Sequence, residues 1–113
     1  MRCYLGIDNG GSTTKAALFD VQGHMLGSAG VSTATLTPCP GFAERDMEEM
    51  WRANCEVISH VIDKCRVKAS DIAGVGLCGH GKGLYLWGRS GSPVRHGIAS
   101  TDNRAYAYPA AWR

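Results

Sequence analysis

The run Asp8-Asn9-Gly10-Gly11-Ser12-Thr13-Thr14-Lys15 packs an acid, a glycine pair, three hydroxyls and a lysine into eight positions. That order suits a polyphosphate. Glycines let backbone N–H groups come close to phosphate oxygens. Ser12, Thr13 and Thr14 add hydroxyl donors, and Lys15 adds positive charge. Asp8 is suited to hold Mg²⁺ through water, because that ion takes oxygen ligands and keeps much of its hydration shell. The same residues also make a plain β-hairpin with a polar Asn-Gly turn, and a short glycine motif does not separate the two readings. Lys15 likewise reads either as phosphate-facing or as an exposed strand lysine.

A second glycine-rich run, Gly76-Leu77-Cys78-Gly79-His80-Gly81-Lys82-Gly83, nearly spells a P-loop. Gly83 stands where Ser or Thr would bind Mg²⁺, and the following Gly-Leu-Tyr-Leu-Trp reads as strand where a P-loop opens a helix. The run is therefore read as a flexible loop. Gly79, Gly81 and Gly83 allow close backbone approach, while His80 and Lys82 project polar heads. A solvated surface charge for Lys82 and a capping role for His80 are the alternatives. His24, His60 and His96 lack the spacing of a metal or catalytic site. The five cysteines are odd in number and contain no C-x-x-C, so neither zinc nor a disulfide framework is expected. Reduced, buried thiols in a cytoplasmic protein are the plain reading.

These residues need elements to position them. Residues 2–8 read as a buried strand, 12–20 as a second and 25–32 as a third, with Gly23 free to take positive φ in the hairpin loop. Together they make an antiparallel meander. Residues 33–45 form a loop. Asp46 then fits a helix N-cap with Glu49 three positions on. Met50, Trp51, Cys55, Ile58, Val61 and Ile62 follow at helical spacing to about Cys65, with Trp51 expected in the core. Residues 72–78 read as a buried strand, 83–87 as another, 89–93 as a turn and 94–99 as a returning strand. Asn103 onward offers a helix start, against which Pro109 stands. The order β-β-β-α-β-β argues for a mixed α/β sheet.

Composition excludes several classes. The 113 residues allow one domain at most, and 44 % hydrophobic with 19 % charged residues is ordinary for a globular chain. A net charge of +2 with no basic stripe gives no sign of a nucleic-acid partner. No apolar stretch is long enough to span a membrane, and Met1-Arg2-Cys3 runs straight into a strand without a visible signal peptide.

Residues 6–20 resemble the first phosphate loop of the actin, hexokinase and Hsp70 superfamily, whose fold is similar to ribonuclease H and opens with three antiparallel strands, a helix and a parallel strand. Three further segments narrow the resemblance to the FGGY carbohydrate kinases. Pro40-Gly41-Phe42-Ala43-Glu44-Arg45-Asp46 with Trp51 resembles their P-G-W-x-E-x-D…W signature, with Phe42 in place of Trp. Residues 74–86 resemble the strand and loop that hold their sugar contacts. Asp102 and Arg104 match W-x-D-x-R, with Ser100 in place of Trp. The Gly-Lys-Gly pattern with Ser100-Thr101-Asp102 is most similar to L-xylulose kinases.

The resemblance implies an ATP-dependent, Mg²⁺-assisted transfer to a hydroxyl of a small sugar or polyol. Asp8 would organise Mg²⁺, Gly10, Gly11, Ser12, Thr13, Thr14 and Lys15 would face the phosphates, and Gly81, Lys82 and Asp102 would touch the sugar. Asp102 could equally serve only as a bridge to Arg104. Residues 1–113 would be part of an N-terminal domain. The general-base aspartate and the nucleotide-binding domain would lie beyond Arg113, leaving this stretch without the full machinery for transfer. The alternatives are a non-catalytic interaction module that self-associates through an uncovered sheet edge, and an ATPase-type relative, against which the P-G-F-x-E-x-D segment argues.

Overall fold

The computed structural model describes residues 1–112. Strand β1 (Cys3–Asn9) pairs antiparallel with β2 (Thr13–Asp20), and β2 pairs with β3 (Met25–Ser32). Side chains alternate across a sheet. On one face Cys3, Leu5 and Ile7 of β1 are buried together with Thr14, Ala16 and Leu18 of β2. The β2–β3 turn is closed by the Asp20 carboxylate, which accepts the N–H groups of Gln22 and His24, each at 2.9 Å. Gly23 completes it at φ 86°, as the sequence predicts.

Helix α1 (Met47–Cys65) begins where Asp46 accepts the N–H groups of Glu48 and Glu49, and it stops at Arg66 in the left-handed region. Met50, Ala53, Val57 and Val61 form its buried stripe, laid across β2 and β3. Trp51 is not in the core: it is 65 % exposed, and Cys55 is exposed too. Each step along a helix turns by about 100°, which carries Trp51 off the stripe that Met50 begins. Of the five cysteines, all free, only Cys3 is fully buried, while Cys39, Cys55 and Cys78 are exposed, against the expectation of buried thiols.

A short 3₁₀ turn (Ala69–Asp71) leads into β5 (Ile72–Gly79), which lies parallel to β1 and gives the sheet order β3-β2-β1-β5. This is the expected mixed α/β sheet. The burial of β5 is not as expected. Val75 and Leu77 stand in register with the buried Leu5 and Ile7, yet they are 58 % and 75 % exposed. The reason is geometric: α1 packs on β2 and β3 and leaves the β5 side of that face uncovered.

The later strands also differ from expectation. Strands at 83–87 and 94–99 reduce to isolated bridges, Leu84 to Ile98 and Trp87 to Pro93, and to β6 (Gly97–Ile98). Strand β6 pairs outside the main sheet with β4 (Glu44–Arg45), a pairing the sequence did not suggest. No second layer covers this arm, and Leu84, Trp87 and Val94 remain exposed. The expected helix from Asn103 is only the single turn α2 (Tyr108–Ala111), with Pro109 in its first turn. Among the described residues no helix is long and apolar enough to cross a membrane.

Candidate functional site

Residues 10–12 join β1 to β2 in a tight antiparallel hairpin, with Asp8 opposite Lys15 and Asn9 opposite Thr14. The Gly10 N–H donates to the Thr13 carbonyl at 3.2 Å. A Cβ at Gly10 would lie 2.6 Å from that same carbonyl oxygen, so the turn admits only glycine here. Asp8 and Lys15 are exposed on the sheet face away from α1. They line a groove of about 580 Å³ with Phe19, Met25 and Cys78. Asp8 Oδ1 reaches to 4.0 Å from the Gly10 Cβ position, and the carboxylate makes no ion pair among the described residues. Loss of hydration and the neighbouring Asp8 charge hold the Cys78 thiol above its ordinary value.

The loop does not present all its expected donors on one side. Thr14 is fully buried, and its hydroxyl meets Asn9 Oδ1 at 3.4 Å. Strand alternation turns it into the core while Lys15 points out, so Thr14 leaves the set of residues that can face a phosphate.

The opposite wall comes from far along the chain. Gly11 and Ser12 share a cavity of about 280 Å³ with Thr35, His80, Ala99, Ser100 and Thr101. The P-G-F-A-E-R-D segment holds this second wall in place. Ala99 N–H donates to the Ala43 carbonyl (2.9 Å) and Asn103 N–H to the Gly41 carbonyl (2.7 Å). Asp102 Oδ1 accepts the Ala43 N–H at 2.7 Å, and both its oxygens take hydrogen bonds from Arg104. The bridge to Arg104 is thus formed, with the Asp102 side chain only 4 % exposed. Glu44 completes the clamp by accepting from Arg95 and Arg104, each at 2.6 Å, while the Phe42 ring lies 3.9 Å beneath the Arg104 guanidinium. The hydrogen bond from Arg104 is the main cause that holds both Glu44 and Asp102 below the usual carboxylate range, Asp102 far below it.

His80 ties the two walls together. Its Nδ1 lies 2.9 Å from the Asn9 carbonyl, which can only accept, so Nδ1 carries the proton. In the neutral ring Nε2 then accepts from the Tyr85 hydroxyl at 2.6 Å. The Tyr85 ring fills the space where side chains at Gly83 and Gly97 would stand. Gly81 and Lys82 form the exposed tip of this loop, with Lys82 in the left-handed region at φ 66°. On its far side His80 borders a further cavity, of about 330 Å³, between Met50, Trp51, Asn54 and Trp87.

Sequence reasoning missed Thr35, Tyr85 and Arg45. Thr35 and Tyr85 carry no motif signal. Arg45 falls at an unspecified position of the P-G-W-x-E-x-D signature, yet it is 1 % exposed and bonded to the Gly10 carbonyl. Among the described residues no three His, Cys, Asp or Glu side chains converge as a metal site. Asp8 alone could therefore hold Mg²⁺ only with water and phosphate completing its shell, which is that ion's usual habit.

Comparison with known proteins bears on the family and the fold. The profile of the FGGY family of carbohydrate kinases, N-terminal domain, matches residues 3–113. A probable L-xylulose kinase of Pasteurella multocida is 38 % identical over 113 residues, which are all of this chain and 23 % of that protein. The L-xylulose/3-keto-L-gulonate kinase of Escherichia coli is 37 % identical over 110 residues, covering 97 % of this chain and 22 % of that protein. The crystal structure of xylulose kinase from Rhodospirillum rubrum superposes with a TM-score of 0.88 at 25 % identity, over 99 % of this chain and 23 % of that one. The chain thus spans less than a quarter of the length of these relatives.

Proposed function

Because the chain belongs to the FGGY family of carbohydrate kinases, we propose that it forms one wall of the cleft in which a sugar kinase transfers a phosphoryl group from ATP to a ketopentose or polyol hydroxyl. The observation that carries this reading is the shared cavity, in which Gly11 and Ser12 face Ser100 and Thr101 across the same space. A phosphate held by the first pair and a hydroxyl compound held by the second would meet there.

Phosphoryl transfer needs little covalent help from the protein; it depends on positioning and on neutralising charge. The exposed loop N–H and hydroxyl groups of residues 10–13 would hold phosphate oxygens, with Lys15 adding charge from the neighbouring strand. Asp8 would hold the hydrated Mg²⁺ that ATP carries. Gly81 and Lys82 would meet the sugar hydroxyls, whereas Asp102, expected there too, has both oxygens filled by Ala43 and Arg104 and would brace the loop that carries Ser100 and Thr101. The base that takes the hydroxyl proton is assigned to an aspartate outside these residues, and most of the nucleotide pocket to a second domain. L-xylulose is the first candidate acceptor, since two similar proteins carry that sugar in their names.

The test is ADP release by the full-length gene product with MgATP and, in turn, L-xylulose, 3-keto-L-gulonate, D-xylulose, glycerol and erythritol. We expect the highest kcat/KM with L-xylulose, and loss of most activity in Asp8→Asn. No sugar-dependent ADP release with any acceptor would defeat the reading. A second reading, as an interaction module, draws on the exposed Val75 and Leu77 beside the open β5 edge.

A further inference from the structure

Among the described residues Arg45 is the most fully buried charged side chain, at 1 % exposure. Among the described residues no carboxylate pairs with it. Its two flanking acids are committed elsewhere, Glu44 to Arg95 and Arg104 and Asp46 to the start of α1. The guanidinium has only neutral partners: Nη1 donates to the Gly10 carbonyl at 2.9 Å and Nη2 to the Thr33 hydroxyl at 2.5 Å. Nε is buried with no acceptor at all. A desolvated cation without a counter-ion is costly, and an arginine cannot shed its proton to escape that cost.

The placement of this charge has a direct consequence for the β1–β2 loop. Among the described residues no peptide bond is cis. In a trans peptide the C=O and the next N–H point in opposite directions. Drawing the Gly10 carbonyl down onto Arg45 therefore turns the Gly11 N–H away from the core. That N–H has no acceptor among the described residues, and a Cβ at Gly11 would meet nothing within 4 Å. Gly11 itself lines the cavity shared with Ser12, Thr35, His80, Ser100 and Thr101. Thr33 acts in the same sense, its N–H donating to the Ser12 carbonyl at 2.9 Å.

We infer that Arg45 is a positioning residue for anion binding: it aims the Gly11 N–H into the cavity, and its buried charge is balanced when a phosphate group of the substrate nucleotide settles on that N–H. The inference rests on the phosphate reading of the loop and adds the residue that prepares the loop for it. An anion accepted by Gly11 N–H would sit about 8 Å from the guanidinium, across one polarised peptide unit. At that range and an effective dielectric of about 20, one unit of charge changes an affinity by roughly ten- to thirtyfold.

The experiment measures binding of inorganic pyrophosphate to the full-length gene product by calorimetry, at two salt concentrations. In Arg45→Met, which keeps much of the side-chain volume, we expect the Kd to rise about tenfold or more and the salt dependence to weaken. In Arg45→Lys, which keeps the charge, we expect most of the affinity to return. For MgATP turnover, the Met variant should raise KM for ATP with little change in KM for the sugar. A folded Arg45→Met protein that binds pyrophosphate within twofold of wild type overturns the inference and leaves the phosphate loop standing. Wild-type protein that binds no pyrophosphate overturns the loop reading and the inference with it. Should the Met variant not fold, arginine-selective ¹⁵N labelling of the wild type decides: the Arg45 Nε–H resonance, assigned by its loss in Arg45→Lys, must move on titration with pyrophosphate, and a fixed resonance counts against the role.

Discussion

Glu44 Oε2 and Arg104 Nη2 lie 2.6 Å apart although 60 residues separate them in the chain. This contact joins the P-G-F-A-E-R-D segment to the D-x-R segment, and so fixes Ser100 and Thr101 opposite the glycine loop. Removing the Glu44 charge should free the second wall without unfolding the sheet. In Glu44→Gln we expect amide exchange at residues 97–104 to speed up by about tenfold or more, with exchange in β1 and β2 unchanged. Hydrogen exchange read by mass spectrometry checks this, and uniform acceleration across all segments would contradict it.

The same clamp gives a pH dependence. Glu44 and Asp102 are both depressed below ordinary carboxylate values, chiefly by the hydrogen bond from Arg104. A carboxylate with a lowered folded-state pKa adds stability above its unfolded-state value, and that stability is lost as pH falls toward the folded value. The loss should begin near about pH 4 and still be growing at the acid limit of the measurement. Asp102→Asn should be less stable than wild type at neutral pH yet fall less steeply in acid. Urea midpoints taken from neutral pH downward test this; parallel curves for the two proteins would rule it out.

Lys82 offers a way to separate backbone cost from ligand contact. Its φ of 66° is a conformation glycine adopts freely and lysine does not. In the full-length gene product Lys82→Gly should melt no lower than wild type, because it relieves that strain. If the ammonium grips sugar hydroxyls, KM for the sugar should nevertheless rise about tenfold, with KM for ATP unaffected. An unchanged sugar KM would return Lys82 to the solvated surface.

Tyr85 and Gly97 should be coupled. A Cβ at Gly97 falls on the Tyr85 ring, so Gly97→Ala should cost about 1–3 kcal/mol through overpacking. In a Tyr85→Ala background the same change should cost much less, a coupling that a double-mutant cycle reads directly. Equal costs in both backgrounds would show that the ring has another place to go.

The uncovered side of β5 predicts association. Residues 1–113 expressed alone expose Val75 and Leu77 next to an unpaired sheet edge, which is a template for another strand. Sedimentation velocity should show dimers or larger species that dissociate in Leu77→Lys. A monomer at all concentrations would remove the support for the interaction-module reading.

Much of this was legible in the sequence because it depends on local chemistry. Alternating side chains and an Asn-Gly turn specify the β1–β2 hairpin, Asp46 caps α1, and Gly23 closes the next turn, each through contacts a few residues apart. The order of these elements is enough to determine the mixed sheet. Burial beyond one element was not legible, because it depends on what lies on top. Trp51 and Leu77 have core-like side chains but no layer over them, whereas the charged Arg45 is buried.

The site divides along the same line. Asp8, Gly10, Gly11 and Lys15 could be picked out as neighbours because their spacing alone puts them on one hairpin. That Thr14 leaves this group follows from the pleat of β2. Which residues stand across from the turn was decided only by the tertiary fold, through the Glu44–Arg104 clamp and the β4–β6 pairing. Contacts between residues 60 apart leave no periodicity to read, and only folding brings their charges within hydrogen-bonding distance.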